Sequence, residues 1–262
     1  MQDQPILPPE LEPHRAKILS SIRPFLKILP QPAGETTWQQ SKIGGNPYLP
    51  LGVDFPKNSD GKPLFFLAQI NFAETPRLES FPEKGILQFY ISDGDLYGLN
   101  LEEPDLQDGF RVLFFGDVET GEARLQTDFS WLPAYENLPI EPGFSFPLKF
   151  EEQSEAVPLS DHRVVDFLGS SFFAQFGERQ WEVMEAYGEA VEAGGHKLGG
   201  YAFFTQHDPR YELGDMELLF QLDTDGKINV MWGDMGVANF FIKKEDLLRR
   251  DFSKVVFNWD CY

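Results

Sequence analysis

Two short stretches near the end of the sequence set an aromatic ring beside a carboxylate: Trp232-Gly233-Asp234 and Trp259-Asp260. A flat ring next to an anionic acceptor is what a polar or cationic small ligand uses. The competing reading is structural, with both indoles capping a core and both aspartates accepting hydrogen bonds from turns. Four amides pose a similar choice. Gln69, Gln88, Gln221 and Asn239 each stand inside an apolar run, where an unsatisfied amide costs about 1–3 kcal/mol. Either they tie strands or halves of the fold together, or they line a polar pocket between the halves.

Other chemistry is harder to find. The sequence has no Gly-x-Ser-x-Gly elbow, no Gly-x-x-x-x-Gly-Lys-Ser/Thr phosphate loop, no Gly-x-Gly-x-x-Gly after a strand and no His-Glu-x-x-His. His14, His162, His196 and His207 are scattered, and one cysteine cannot build a structural zinc site. An EF-hand loop puts glycine sixth and a bidentate glutamate twelfth. In the stretch from Asp223 to Asn229 glycine comes fourth, and Asp225-Gly226 reads better as a hairpin turn between strands. Asp93-Gly94-Asp95 reads the same way. Cys261 has no visible activating base and is expected to be inert. No metal, no cofactor and no catalytic residue is assigned, and the balance leans away from an enzyme.

Composition narrows the classes further. The 262 residues carry a formal net charge of −20, well outside the range of about 2 to 8 usual for a small soluble domain. Such a surface repels phosphate backbones, so nucleic-acid binding of the usual basic kind is not expected. It either keeps the protein soluble or draws in a basic partner. A single cysteine fits a reducing, cytoplasmic setting. The opening MQDQPILPPELEP lacks a basic region followed by an apolar run, so no secretory signal is expected. No stretch approaches the roughly eighteen apolar residues of a spanning helix. The 25 phenylalanines, 20 prolines and 23 glycines favour a β-rich fold with frequent turns.

Elements follow from the periodicities. Ile18, Ile22, Phe25, Leu26 and Leu29 fall on one face of a helix that Pro24 would kink. Apolar runs from Leu64 to Phe72, from Gly85 through Ile91 and from Phe110 to Phe115 read as strands. Residues 121–158 are a set of proline-bounded pieces without an assignable order. A helical region runs from about Ser160 to Ala193, with Trp181, Met184, Tyr187, Gly188 and Val191 near one face and Gly194-Gly195 as its stop. Glu178, Glu182, Glu185, Glu189 and Glu192 take the outer face, as a solvated surface or as a cation groove.

An internal repeat organises these pieces. Ser41-Lys42-Ile43-Gly44-Gly45 returns as His196-Lys197-Leu198-Gly199-Gly200, and Phe66 to Asn71 returns as Leu218 to Asp223. Gly85 to Ile91 returns as Gly236 to Ile242, and Phe110-x-x-Leu113-x-Phe115 as Phe252-x-x-Val255-x-Phe257. The expected fold is therefore α+β and β-rich, with helix-plus-antiparallel-sheet units at residues 10–150 and 155–262 forming two related lobes packed as one unit. The polar residue types retained between the copies are Lys42/Lys197, Gln69/Gln221 and Gln88/Asn239. His196 has Ser41 as its counterpart, which argues against a role common to both copies.

The segments SKIGGNPYLP, FFLAQINF, FPEKGILQFYI, Tyr97-Gly98, MWGDMGVANFFI and DFSKVVFNWDCY together resemble the YwqG-like bacterial proteins, a family of unknown function. The likeness spans about residues 40–115 and 196–262. It implies a bacterial-type cytoplasmic protein of mixed α and β structure and brings no reaction, cofactor or catalytic residue. Some relatives of this kind are suspected to serve in toxin–immunity systems. The leading expectation is a non-enzymatic module that engages a basic protein partner. The alternative is a small-molecule-binding protein or enzyme, with a polar ligand held near Gln69, Gln88, Gln221, Trp232, Asp234, Asn239, Trp259 and Asp260.

Overall fold

The computed structural model describes residues 5–262; the reading of Met1 to Gln4 lies outside the described residues. The strands are β1 (Arg23–Pro30), β2 (Lys42–Gly44), β3 (Phe65–Asn71), β4 (Ile86–Ile91), β5 (Phe110–Phe115), β6 (Ser145–Glu155), β7 (Lys197–Gly199), β8 (Glu217–Asp223), β9 (Val237–Ile242) and β10 (Val256–Asp260). They form one ten-stranded sheet in the order β10-β9-β8-β7-β1-β6-β2-β3-β4-β5, and each neighbouring pair is antiparallel. The helices are short: α1 (Arg15–Leu19), α2 (Val164–Leu168), α3 (Gln180–Ala190), α4 (Arg210–Leu213) and α5 (Lys244–Arg249). The fold is α+β and dominated by its sheet. Among the described residues no helix is long and apolar enough to cross a membrane.

Alternation decides how the sheet buries itself. In β4, Leu87, Phe89 and Ile91 join the main core, while Ile86, Gln88 and Tyr90 point to the opposite face. In β9, Ala238, Phe240 and Ile242 join the same core, with Asn239 and Phe241 opposed. The sheet curls until these inner faces meet. Phe89 lies 4.5 Å from Phe220 and 4.8 Å from Phe240, and Phe110 lies 5.4 Å from Phe257. Burying a phenylalanine contributes about 1.5–3 kcal/mol, so these rings supply much of the adhesion between the two wings. The outer faces are covered by chain rather than by long helices: Tyr48, Leu49, Phe55 and Phe129 over one wing, Ala202 and Phe204 over the other. The helices gather a separate small core around Leu11, Ile18, Leu168, Val183 and Tyr187.

Matched sequence blocks take matched places in the sheet. From the centre outward the wings run β2-β3-β4-β5 and β7-β8-β9-β10. Both carry a register shift at corresponding residues, between Phe66 and Ala68 in one and between Leu218 and Phe220 in the other. The central strands are exchanged: β1 pairs with β7, and β6 pairs with β2.

Three local expectations change. The helix expected through Leu29 ends at Leu19, and Arg23–Pro30 is a strand. Leu26 and Ile28 alternate into the main core, a period of two that the helical spacing concealed. Pro24 is tolerated because pairing with β7 stops at Phe25, so no ladder donor is required there. The unassigned stretch 121–158 contains β6, which crosses the expected boundary between halves. The two Asp-Gly sites are not tight hairpins: Asp225 closes only an isolated bridge to Val230, and β9 begins at Val237. Likewise β4 ends at Ile91 and β5 begins at Phe110.

Candidate functional site

The four amides are fully buried, at 0 % exposure. Gln69 Oε1 accepts the Tyr48 N–H at 2.9 Å, and its Nε2 donates to the Trp38 and Gln40 carbonyls at 2.7 and 2.8 Å. Gln221 repeats this on its own wing: Oε1 accepts the Phe203 N–H, and Nε2 donates to the Ala193 and Gly195 carbonyls. Gln88 donates to the Tyr48 carbonyl at 2.6 Å, and Asn239 to the Phe203 carbonyl at 2.9 Å. Each partner in the second wing follows its counterpart at one constant spacing along the chain. Every amide therefore pins an arch of backbone over an outer face, directed away from the surface where the wings meet. The structure brings Gln69 together with Gln88, and Gln221 together with Asn239, in two separate networks. Two differences remain: Gln88 Nε2 also donates to Gln69 Oε1 at 3.0 Å, a bond that Asn239 and Gln221 do not make, and Tyr90 donates its hydroxyl to Gln88 Oε1 at 2.9 Å. Phe241 occupies the corresponding place, and Asn239 Oδ1 has no partner among the described residues.

His196 and Ser41 do share a role, contrary to the expectation. Ser41 Oγ accepts the Asn71 N–H at 2.8 Å, and His196 Nδ1 accepts the Asp223 N–H at 3.0 Å. An imidazole nitrogen and a hydroxyl are interchangeable as acceptors. Burial lowers the His196 pKa, which keeps the ring neutral and Nδ1 free to accept.

The tryptophan–aspartate candidates divide between environments. Trp232 is wholly buried, with its ring centroid 5.3 Å from Tyr97 and 6.4 Å from Trp259. Trp259 lies 4.9 Å from Tyr97 and donates its Nε1–H to the Leu96 carbonyl at 2.8 Å. Tyr97 is held there by a tight turn, since a Cβ on Gly98 would sit 1.8 Å from the Gly109 carbonyl oxygen. The 92–109 loop is thereby clamped onto β10, with Pro104 accepting the Phe257 N–H and Gln107 donating to the Phe252 carbonyl. Asp260, the next residue in the strand, turns to the other face and accepts from Thr205 N, Thr205 Oγ1 and Gln206 N. Burial raises its pKa. Asp234 is exposed, and its backbone carbonyl accepts the Tyr262 N–H.

A richer ionic constellation lies elsewhere, and sequence reasoning missed it. Arg210, wholly buried, donates to Asp161 Oδ2 at 2.7 Å and to both oxygens of Asp208 at 2.8 and 2.9 Å. His162 Nδ1 stands 3.1 Å from Asp208 Oδ2, and Arg163 Nε donates to Asp215 at 2.8 Å. Burial pushes the Asp208 pKa up, yet His162 and Arg210 together hold it well below the usual carboxylate range. Asp161, His162 and Asp208 offer three ligand atoms within 4.8 Å of one another, but the Arg210 guanidinium already bonds to both carboxylates. A cation there would have to displace a bidentate guanidinium. The arrangement serves as a lock between the 160–163 turn and α4. Its only sequence signal is a pair of Asp-x-Arg triplets, Asp161-His162-Arg163 and Asp208-Pro209-Arg210.

The retained lysines are buried but differently partnered. Lys197 Nζ donates to Glu155 at 2.7 and 3.0 Å beneath Gly200 and lies 4.8 Å from the Phe25 ring centroid. Burial lowers the Lys197 pKa and raises that of Glu155. Lys42 Nζ donates to the Thr37 carbonyl at 2.8 Å, and burial lowers its pKa to about 8.

On the surface, α3 keeps Val183 and Tyr187 inward, but Trp181 is 73 % exposed rather than on the packed face. Glu178, Glu182, Glu185, Glu189 and Glu192 are exposed with it. Arg179 pairs with Glu182 and Glu10; among the described residues the other four glutamates have no ion-pair partner.

No curated protein matches the chain significantly. The family model described as a domain of unknown function, DUF1963, matches residues 41–261, from the Lys-x-Gly-Gly arch of the first wing to the end of β10, and the chain belongs to that family.

Proposed function

We propose that the chain is a non-catalytic binding module that takes a basic protein partner on the outward face of α3. The observation that carries this reading is Trp181, left 73 % exposed on a helix whose neighbouring solvent positions are glutamates. An exposed tryptophan is the residue type most enriched at interface hot spots. The surrounding acids, in a chain of net charge −20, would steer a basic surface toward it. Glu155, Asp161, Lys197, Asp208 and Arg210 in the interior are engaged in structural ion pairs, which accords with binding rather than catalysis. A cytoplasmic setting belongs to the same reading and is supported by the single cysteine.

The test is affinity capture from source-cell lysate across a salt series, with wild type, Trp181→Ala and a Glu185→Lys/Glu189→Lys variant side by side. A basic protein retained by wild type at low salt and lost from both variants supports the proposal. Identical retention by all three proteins contradicts it, because charge steering and anchor would then both be irrelevant.

We also infer that the strand sets β2–β5 and β7–β10, each preceded in the chain by a central strand, β1 or β6, repeat one ancestral unit. The equivalent strand order, the paired register shifts and the constant spacing of the amide bonds support this. The second functional reading, a polar small molecule held where the wings meet, is favoured by one cavity.

A further inference from the structure

A cavity of about 220 Å³ opens where the β3–β4 loop of the first wing faces β7 and the start of α5 in the second. Its floor is backbone. Gly199 and Gly200 both have positive φ, +70° and +73°, and a Cβ on Gly200 would fall 2.3 Å from Glu155 Oε1. One wall is apolar, from Leu78, Phe81 and Leu247. The rim carries both signs of charge: Arg23, paired at 3.0 Å with Glu217, together with Lys244 and Glu79. Lys244 and Glu79 have no ion-pair partner among the described residues. In a chain with almost twice as many acids as bases, 42 against 22, a balanced set of two cations and two carboxylates around one small cavity is a local departure. The lip residue Ser80 is held at φ +70°, a left-handed conformation that costs a non-glycine residue energy and persists only where its surroundings impose it.

The corresponding place on the other wing shows what the fold does without such a cavity. There Gly44 and Gly45 also have positive φ, +69° and +74°, but a Cβ on Gly44 would meet the Phe144 carbonyl oxygen at 2.5 Å and Ile140 Cδ1 at 3.6 Å. Gly45 is closed off by Ser145, with a virtual contact of 2.8 Å. Ile140, Ile228 and Val230 fill that seam as part of the main core. The same glycine arch is thus packed shut with aliphatic side chains on one wing and left open and charged on the other.

We propose that the Gly199-Gly200 cavity binds a free α-amino acid with an apolar side chain. Its carboxylate would be taken by Arg23 and Lys244, its ammonium by Glu217 and Glu79, and its side chain by Leu78, Phe81 and Leu247. A volume of this size admits a ligand of amino-acid dimensions and excludes drug-sized molecules, which need roughly 300–1,000 Å³. A zwitterion can answer both partners of the Arg23–Glu217 pair at once, whereas a single-charge analogue competes with that pair and leaves one partner unanswered. The proposal rests on the second functional reading, a polar small molecule held where the wings meet, and is independent of the α3 surface.

Calorimetric titration of the full chain with L-leucine and with L-phenylalanine tests this, alongside N-acetyl-L-leucine and L-leucinamide as single-charge probes. The expected result is saturable binding of at least one free amino acid, weakened about tenfold or more for both single-charge analogues. Lys244→Gln, at an exposed position, should lower affinity without altering thermal unfolding, and Leu78→Trp should abolish binding by filling the cavity. If neither free amino acid binds up to about 10 mM, the proposal fails. It also fails if the analogues bind equally well, or if binding survives Leu78→Trp in a protein that unfolds at the wild-type temperature.

Discussion

The two glycine arches, residues 41–48 and 196–203, are built by the same bonds and finished differently. Each rests on a buried glutamine that accepts one N–H and donates to two carbonyls. Each has its second glycine pressed against a neighbouring strand. Beyond that they diverge. The first arch has a lysine bonded to a carbonyl and an aliphatic cover; the second has a lysine–glutamate pair and an open, charged seam. Residue types shared by the two arches are therefore scaffold, and the places where the arches differ are where binding chemistry has room.

The largest expected contrast concerns the lysines. Lys197→Ala strands Glu155 as a buried, uncompensated carboxylate and should cost about 3–5 kcal/mol of unfolding free energy. Lys42→Ala removes a cation whose partner is one carbonyl and should cost clearly less; equal losses in urea unfolding would erase the distinction. Next comes pH. The folded pKa of Lys42, about 8, lies below the unfolded value of about 10.4. The unfolded chain thus binds more protons between those values, and the lysine's destabilisation, full below pH 8, is relieved as pH rises toward 10. Wild type should gain on Lys42→Met across that window, by up to about 3 kcal/mol; a difference that stays flat with pH would contradict it.

Gln69→Leu and Gln221→Leu should each cost about 1–3 kcal/mol, by orphaning one N–H and two carbonyls in the arch. Similar values measured by chemical denaturation would confirm that the arches are held alike, whereas a loss confined to one would break the comparison. The smallest effect is Tyr90→Phe, about 1 kcal/mol. It leaves Gln88 Oε1 without its hydroxyl donor, as Phe241 leaves Asn239 Oδ1 unpaired, and a stability unchanged within error would mean that the hydroxyl does nothing.

Much of this scaffold was legible in the sequence. An apolar run broken by one amide marks a buried strand that must answer that amide, and β3, β4, β8 and β9 were readable for that reason. The partners were not, because the backbone carbonyls of Trp38 and Ala193 come from arches whose course the local pattern does not encode. β1 was hidden because Ile22, Phe25, Leu26 and Leu29 satisfy a helical period while Leu26 and Ile28 satisfy a strand. β6, SFPLKFEEQSE, lies in the stretch whose proline-bounded pieces had no assignable order, because it is half-exposed and polar although it lies at the centre of the sheet. Trp232 and Trp259 were each paired in sequence with a neighbouring aspartate; the fold instead brings the two rings together against Tyr97, and strand alternation sends Asp260 to the other face. The Arg210 cluster joins residues about fifty positions apart and was visible only as a repeated Asp-x-Arg. The seam cavity depends on how the wings meet, which no periodicity contains.

One measurement compares the two arches directly: a ¹H–¹⁵N correlation spectrum of the full chain titrated with L-leucine and L-phenylalanine. The account predicts progressive shifts at the amides of Ser80, Gly199, Gly200 and Lys244, with Gly44 and Gly45 unmoved. Shifts at both arches, or at neither, would contradict it.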